Sequence, residues 1–164
     1  MRKASKTSDR KELLKIYLEQ YFRACKGRQI LEARLRRMRR DVLTPPGLGT
    51  RKEAEDEAGE ATSILVRMDE IEKRIKDQSD AMAQIVLEIM AVFDFLKPGS
   101  IEREIVEFRH LDCMSWKAIQ KQVHLSRTAC YNWYSKALDS LLTFEKINRT
   151  LDMFQKELER RDTA

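Results

Sequence analysis

Five polar side chains near residue 130 are of the types that read the edges of DNA bases. Their steps of one, three, one and three residues place Arg127, Thr128, Tyr131, Asn132 and Ser135 on one face of a predicted helix. Arg can bond guanine through two hydrogen bonds, Asn can do the same for adenine, and Thr or Tyr can touch a thymine methyl. We therefore predict that these five residues read bases in a major groove.

Polar residues that suit phosphates flank this face. Three are lysines, Lys117, Lys121 and Lys136, and the fourth is Ser126, which immediately precedes Arg127. Contacts to phosphates supply affinity and register but carry no sequence information. The prediction is double-stranded DNA held by these four residues and read by the five above.

Three short helices between residues 100 and 142 are predicted to position those side chains. The apolar residues of the first recur at steps of four and three, on one helical face: Ile101, Ile105, Phe108 and Leu111. Residues 112–114 break that period, and Ser115 can cap a second helix that begins at Trp116. A buried face of Trp116, Ile119 and Val123 follows from the spacing.

The connection to the third helix is very short. Only His124 and Leu125 separate Val123 from the next capping residue, Ser126, so the two helices must cross steeply. This pattern predicts a helix-turn-helix, whose second helix presents its N-terminal residues to DNA. The inner face of that helix is predicted to hold these residues: Cys130, Trp133, Ala137, Leu138 and Leu141.

The stretch SWKAIQKQVHLSRTACYNWYSKAL resembles region four of the bacterial sigma-70 family. Lys121-Gln122, Ser126-Arg127 and Lys136-Ala137-Leu138 match its pattern in register. The I-x-x-x-I-x-x-x-R segment and the S-W-K-x-I box are more similar still to the small sigma-like late-gene activators of phages and prophages, of the ArpU and RinA kind. The resemblance covers about a quarter of the chain. It implies base reading by Arg127, Thr128, Tyr131 and Asn132, and contact with RNA polymerase.

Three residues depart from the usual helix-turn-helix pattern. Gln120 stands where Ala is usual, His124 where Gly is usual in the turn, and Cys130 where Val or Ile is usual in the core. We expect Gln120 to tilt outward. His124 must adopt a left-handed backbone, which His tolerates better than a β-branched residue does.

The rest of the chain predicts an all-α protein. Charged residues make up 36% of it, the chain has only 5 Gly and 3 Pro, and strand signals are absent. Four regions are predicted: a disordered basic tail over 1–11, a helical hairpin or coiled-coil arm over 12–97 with a loop at 44–50, the helix-turn-helix domain over 98–142, and an amphipathic helix over 143–164.

The second helix of the arm carries a long apolar stripe from Leu65 to Leu96. Part of it repeats every seven residues, at Met68, Ile75, Met82, Ile89 and Leu96. Such a stripe must be covered, because leaving several Ile and Leu in water would cost more than a domain's margin of stability. An intrachain hairpin is the first choice and a homodimer through the arm the second. Pro98 closes this helix.

Charge is divided unevenly along the arm. Residues 1–52 carry 16 Lys and Arg against 5 Asp and Glu, a net of +11, whereas residues 53–97 have a net of −7. The densest basic part is the arginine run, which consists of Arg34, Arg36, Arg37, Arg39 and Arg40. We favour pairing of this run with the acidic segment over a role in holding DNA backbone or nascent RNA.

An amphipathic stripe continues past residue 142. Ile147, Leu151, Phe154 and Leu158 step by four, three and four, with no Gly or Pro in between, so the third helix is expected to run on into a long C-terminal helix. Its stripe could pack against the arm, form a dimer seam or dock on RNA polymerase.

No catalytic constellation, phosphate-binding Gly loop or cofactor motif is visible, so we expect neither an enzyme nor a bound cofactor. A zinc site from His110, Cys113, His124 and Cys130 lacks the usual paired spacings, and buried reduced thiols are the preferred interpretation of the cysteines. No apolar run suits a membrane span or a secretion signal, so the expected location is the cytoplasm of a bacterial host, at the nucleoid.

Three functions fit this pattern. The first is a phage or prophage transcription regulator that activates late genes. The second is a DNA-packaging protein similar to a small terminase subunit, which would use the same helix-turn-helix. A structural coiled-coil adaptor is the third, and oligomeric state and DNA binding discriminate between them.

Overall fold

The chain folds into helices throughout the part that the structure describes. This computed structural model describes residues 2–43 and 51–163, without the side chains of residues 2–7, 51–58 and 61. Seven helices follow one another in that part: α1 Arg2–Leu18, α2 Gln20–Leu43, α3 Arg51–Phe93, α4 Ile101–His110, α5 Trp116–Val123, α6 Arg127–Leu141 and α7 Glu145–Asp162. The all-α prediction is confirmed, and the predicted loop at 44–50 lies outside the described residues.

Two compact units divide the chain. The core unit consists of Met1–Phe22 with Gln84–Ala164, and the hairpin unit is Arg23–Ala83. In the core unit, α1, the end of α3 and α4 to α7 share one hydrophobic core. Its fully buried large side chains come from all of these helices: Leu14, Leu18, Ile89, Phe93, Ile105, Val106, Ile119, Cys130, Leu138, Leu141, Ile147 and Leu151.

Residues 2–11 are helical, where a disordered tail was predicted over residues 1–11; residue 1 lies outside the described residues. Helix α1 begins at Arg2, and Glu19 alone separates it from α2. Arg10 donates to Asp152 at 2.6 Å, to the Asn148 carbonyl at 2.8 Å and to the Asn148 side chain at 3.0 Å. These tertiary contacts, which local composition does not report, hold the end of the segment against α7.

In the hairpin unit, α2 and α3 lie antiparallel. Arg39 pairs with Glu72 at 2.7 Å, and Gly27, earlier in α2, lies against Gln78, later in α3. Leu35 is buried in this unit, and so is Met82 of the heptad stripe. Met68 and Ile75 are half-buried, so the stripe is only partly covered within the unit.

The junction between α3 and α4 is fixed by one arginine. Helix α3 ends at Phe93, three residues earlier than the stripe indicates, and a turn leads through Pro98 to the cap of α4. Arg103 donates to Glu107 at 2.7 Å and to Asp94 at 3.0 Å, and it reaches the Leu96 carbonyl at 3.4 Å. These bonds join α4 to the turn before it.

Helices α6 and α7 are separate, which contradicts the expectation of one continuous helix. The Asn148 side-chain amide donates to the carbonyls of Leu142 at 2.7 Å and Phe144 at 3.1 Å, and the Thr143 hydroxyl donates to the Ser140 carbonyl at 2.6 Å. Polar side chains thus bond carbonyls at the end of α6 and in the turn that leads to α7. No Gly or Pro is needed for the break.

The chain reverses direction at residues 142–144, and α7 therefore packs against α1. Ile147 and Leu151 of the predicted stripe are buried, and Phe154 meets the ring of Tyr17 edge-on at 5.2 Å between centroids. The predicted partners of this stripe were the arm, a second subunit and RNA polymerase. The structure shows the contact with the arm, through α1.

Candidate nucleic-acid interface

Three serines and one histidine set the ends of the helices in the helix-turn-helix. The hydroxyl of Ser115 accepts from the Ala118 amide, and that of Ser126 from the Ala129 amide, both at 3.2 Å. Ser100 caps α4 in the same way. His124 has φ 54° and ψ 40°, the left-handed conformation predicted for the turn. The caps and the turn are confirmed.

The inner face of α6 differs from the prediction at one position. Cys130, Ala137, Leu138 and Leu141 are buried as expected, but Tyr134 takes the place assigned to Trp133. Trp133 is only partly buried and lies beneath the ammonium of Lys136, 4.6 Å from the ring centroid. Steps of four and three fit position 134 as well as 133, so the spacing alone does not choose between them.

Tyr134 joins a buried histidine that the sequence prediction missed. The Tyr134 hydroxyl lies 3.0 Å from His110 Nε2, His110 is only 2% exposed, and the Leu18 carbonyl also hydrogen-bonds the imidazole. Burial, with the nearby Arg109 cation as a smaller cause, lowers the pKa of His110 to about 3. The imidazole is therefore neutral, and it ties α1, α4 and α6 together behind the outer face of α6.

The outer face of α6 is open along its first two turns. Arg127, Thr128, Tyr131 and Asn132 are exposed, and we call these four residues the reading strip. No acidic residue occupies the first turn of α6, so the positive end of the helix dipole is not neutralised there. A polar, electropositive strip is thus available to a large anionic partner.

Aromatic and cationic side chains are stacked behind half of the reading strip. Arg127 lies 5.5 Å from the Tyr131 ring centroid, and Tyr131 packs on Trp116 of α5 at 4.4 Å. On α4, Arg109 lies 5.3 Å from the Trp116 ring and donates to the Met114 carbonyl at 3.0 Å. Trp116 also meets Tyr134 edge-on at 5.1 Å. The stack connects Arg127 and Tyr131 to the buried core, which restricts their rotamers.

Ser135 does not belong to the open strip. Its hydroxyl accepts from Lys11 Nζ of α1 at 2.6 Å, the same ammonium pairs with Asp139 at 2.8 Å, and Ser135 is half-buried. The N-terminal helix thus covers α6 from its third turn onward. Ser135 is therefore not part of the exposed base-reading face. The spacing of polar residues in the sequence did not predict its contact with Lys11.

The predicted phosphate-binding residues are not equally free. Lys117 and Lys121 are exposed and form no ion pair with any residue that the structure describes. Lys136 is exposed but lies 3.7 Å from Glu102 as well as over Trp133. Ser126 uses a lone pair for its cap, and its hydroxyl proton remains available to a phosphate oxygen. Lys117, Lys121 and Ser126 thus flank the reading strip with donors.

None of the three cysteines, all of which the structure describes, forms a disulfide bond. Cys130 is buried, and burial raises the pKa of its thiol; Cys25 and Cys113 are half-buried. Among the side chains that the structure describes, no three from His, Cys, Asp or Glu converge as a metal site would require. None of the helices within residues 2–43 and 51–163 combines the length and apolar character of a membrane span.

Comparison of the chain with protein-family models, curated proteins and solved structures finds no significant match.

Proposed function

We propose that this protein is a sequence-specific DNA-binding transcription regulator that places the N-terminal half of α6 in the major groove. The observation that carries the proposal is the exposed reading strip on a helix whose opposite face is buried. Arg127 can donate two hydrogen bonds to guanine, Asn132 can donate one hydrogen bond to adenine and accept one from it, and Thr128 and Tyr131 can contact a thymine methyl. A short capped helix, α5, and a three-residue turn precede α6, as in helix-turn-helix proteins.

The packing of side chains behind the reading strip supports sequence-specific contacts with bases rather than nonspecific electrostatic attraction to DNA. A side chain that is already held by its neighbours loses less conformational freedom on binding. Tyr131 packs on Trp116, and Arg127 lies against Tyr131, so both are partly fixed before DNA arrives. Lys117 and Lys121 then set the register by contacting phosphates.

The resemblance to region four of sigma-70 factors and to ArpU- and RinA-type activators supports a more specific role. In that role the protein activates late genes of a phage or prophage and touches RNA polymerase. A homodimer through the arm fits the exposed apolar residues Leu65 and Val66 of α3, which are 49% and 64% exposed. A DNA-packaging protein is the alternative: a ring of many subunits in mass photometry favours packaging, whereas a monomer or dimer favours regulation.

Single substitutions test the reading strip. A preferred duplex is first selected from random DNA, and each variant is then titrated against it and its single-base variants by fluorescence anisotropy. Arg127→Ala should relax specificity at one base pair, with a loss of about 1 to 3 kcal/mol of discrimination. Asn132→Ala should do the same at a different base pair.

Lys121→Ala is the control for these variants. Because a phosphate contact carries no sequence information, its loss should weaken binding to every duplex by a similar factor and leave discrimination unchanged. If Arg127→Ala also weakens all duplexes alike, Arg127 contacts phosphate and the proposed register of α6 is wrong.

A further inference from the structure

The arginine run lies on an exposed side of α2. Leu35 is 7% exposed and Met38 half-buried, so these two residues mark the inner side of this part of the helix. The five arginines around them are all exposed, and four of them, Arg36, Arg37, Arg39 and Arg40, line an open space of about 520 Å³ between their own side chains on α2. Guanidinium groups are therefore clustered on an exposed part of the hairpin unit.

Among the side chains that the structure describes, pairing with the acidic segment neutralises only part of the run. Arg39 pairs with Glu72 at 2.7 Å, and Arg40 also has an interaction partner. Arg34, Arg36 and Arg37 form no ion pair with the described residues. Two acidic residues of the same unit pair with other cations: Glu32 pairs with Arg28 at 2.8 Å, and Glu70 pairs with Arg74 at 3.2 Å.

The spacing of these arginines destabilises α2, the helix that carries them. Arg34 and Arg37 are three residues apart, Arg36 and Arg40 are four apart, and like charges at these spacings destabilise a helix. An external polyanion would remove that repulsion. Every cation in the run is Arg rather than Lys, and the planar guanidinium matches two oxygens of one phosphate at once.

Nucleic-acid backbone fits this surface better than a single anion does. The run from Arg34 to Arg40 covers roughly 9 Å of helix axis, and duplex DNA presents one charge per about 1.7 Å of its own axis. Several long guanidinium side chains can therefore meet several phosphates together. Binding to phosphates needs no pocket for a base edge, and the exposed arginines form no such pocket.

We propose that Arg34, Arg36 and Arg37 form a second DNA-binding surface, which holds the phosphate backbone of the duplex without reading its sequence. This surface deepens the proposed function, on which it rests, because it would add affinity for DNA to a protein that reads sequence through α6. It replaces the preferred interpretation from the sequence analysis, in which this run is a solvated face that pairs with the acidic segment.

The salt dependence of binding measures this surface directly. The full-length protein and its triple variant Arg34→Gln, Arg36→Gln, Arg37→Gln are titrated against the selected duplex and a random duplex between 50 and 200 mM salt, a range in which counterion release is readily measured. Each lost phosphate contact lowers the slope of log affinity against log salt by about 0.9, so three lost contacts lower it by about 2.7. The ratio of specific to random affinity should not change.

A second triple variant, Lys73→Gln, Arg74→Gln, Lys76→Gln, is the matched control. It removes the same charge from exposed positions of α3 in the same unit. Equal thermal midpoints and circular dichroism spectra establish that both variants fold. The proposal requires that the slope fall for the first triple variant and change by less than about one contact for the second.

Two outcomes overturn the second surface. One is an unchanged slope in the first variant, and the other is an equal fall in both variants, which would indicate only a general effect of net charge. Neither outcome bears on the reading strip, which is tested by discrimination between duplexes. Conversely, if the unaltered protein fails to discriminate, the proposed function is wrong while the slopes still report on the arginine surface.

Discussion

The pair of Tyr134 and His110 holds α6 on the side opposite its exposed face. The two side chains join α6 to α4 at 3.0 Å, and the imidazole also meets the Leu18 carbonyl of α1. A neutral imidazole has one donor and one acceptor nitrogen, and these two partners use both. The position of α6 therefore depends on two polar residues inside an apolar core.

Replacing Tyr134 by Phe should destabilise the protein. The substitution keeps the ring but removes the hydroxyl, which leaves a buried imidazole nitrogen without a partner, at a cost of about 1 to 3 kcal/mol. Urea denaturation measures the loss. Tyr131→Phe, on the exposed side of the same helix, is the control and should change stability by less than about 0.5 kcal/mol. Equal effects would mean that the buried bond contributes nothing.

His110 should make stability fall in mild acid. Its pKa is lowered to about 3 in the folded protein, so the folded state stays neutral while the unfolded chain binds a proton below its ordinary pKa of about 6.5. The stability held above pH 6.5 is therefore lost progressively as pH falls toward 3. Between pH 6.5 and 5 the loss is roughly 2 kcal/mol.

Denaturation midpoints at pH 7 and pH 5 test this dependence. The variant His110→Gln cannot titrate, so its stability should change by roughly 2 kcal/mol less than that of the unaltered protein over this range. His124 is exposed and serves as the control through His124→Gln, which should retain the full dependence. A dependence that survives in His110→Gln assigns the acid sensitivity to another group.

Residue types at helix ends were predictable because their effects are local. Ser115 and Ser126 bond amides three residues away, and His124 follows from the short turn, so the sequence nearby contains the whole cause. Burial of Tyr134 and the contact of Ser135 with Lys11 depend on helices far away in the chain. Periodicity alone could not distinguish Tyr134 from Trp133 or show that Ser135 is covered.

At the scale of elements, α1 is an anchor for the C-terminal helices. Arg10 reaches Asp152 and Asn148 of α7, and Lys11 reaches Ser135 and Asp139 of α6. The core unit thus contains both the N-terminal and the C-terminal helices of the described residues. A truncation that removes α1 would expose the apolar faces of α6 and α7.

Arg10→Ala should lower stability by about 1 kcal/mol or somewhat more. Arg10 is three-quarters covered and donates to three acceptors on α7, and charged hydrogen bonds of this kind contribute more than neutral ones. Arg149→Ala is the control, because Arg149 pairs with Glu145 on the exposed surface of α7, where such pairs contribute little. Thermal denaturation of both variants measures the difference, and equal midpoints would contradict the anchor.

The sequence predicted most helices but not all of their ends. The apolar spacing and caps of α4 and α5 define those helices locally, and Pro98 sets the boundary after α3. The break after Leu141 could not be predicted, because it depends on Asn148 and Thr143 bonding carbonyls rather than on Gly or Pro. The helical N-terminus was missed for a similar reason, since its contacts are with α6 and α7.

At the scale of the whole molecule, apolar burial is concentrated in the core unit. Within the described residues, the hairpin unit buries only Leu35 and Met82, whereas the core unit buries residues from six helices. Segments with few buried apolar contacts open at a lower free energy. The monomer is therefore predicted to be unevenly stable along its chain.

Native-state hydrogen exchange should show this difference. Amides of α2 beyond Arg23 and of α3 before Ala83 should exchange faster than amides of α4 and α6 in the monomer. The reference is the same measurement at higher protein concentration. Strong protection of the hairpin unit at every concentration would contradict the prediction, whereas protection that grows with concentration would indicate a homodimer through the arm.

The proposed function depends above all on sequence reading by the first two turns of α6. It is tested by selecting bound duplexes from a random DNA pool with the unaltered protein and with the double variant Arg127→Ala, Asn132→Ala. We expect a defined motif for the unaltered protein and loss of that motif in the double variant, which keeps its fold and its salt-dependent affinity for random DNA. No enriched motif with the unaltered protein, or the same motif from both, would contradict it.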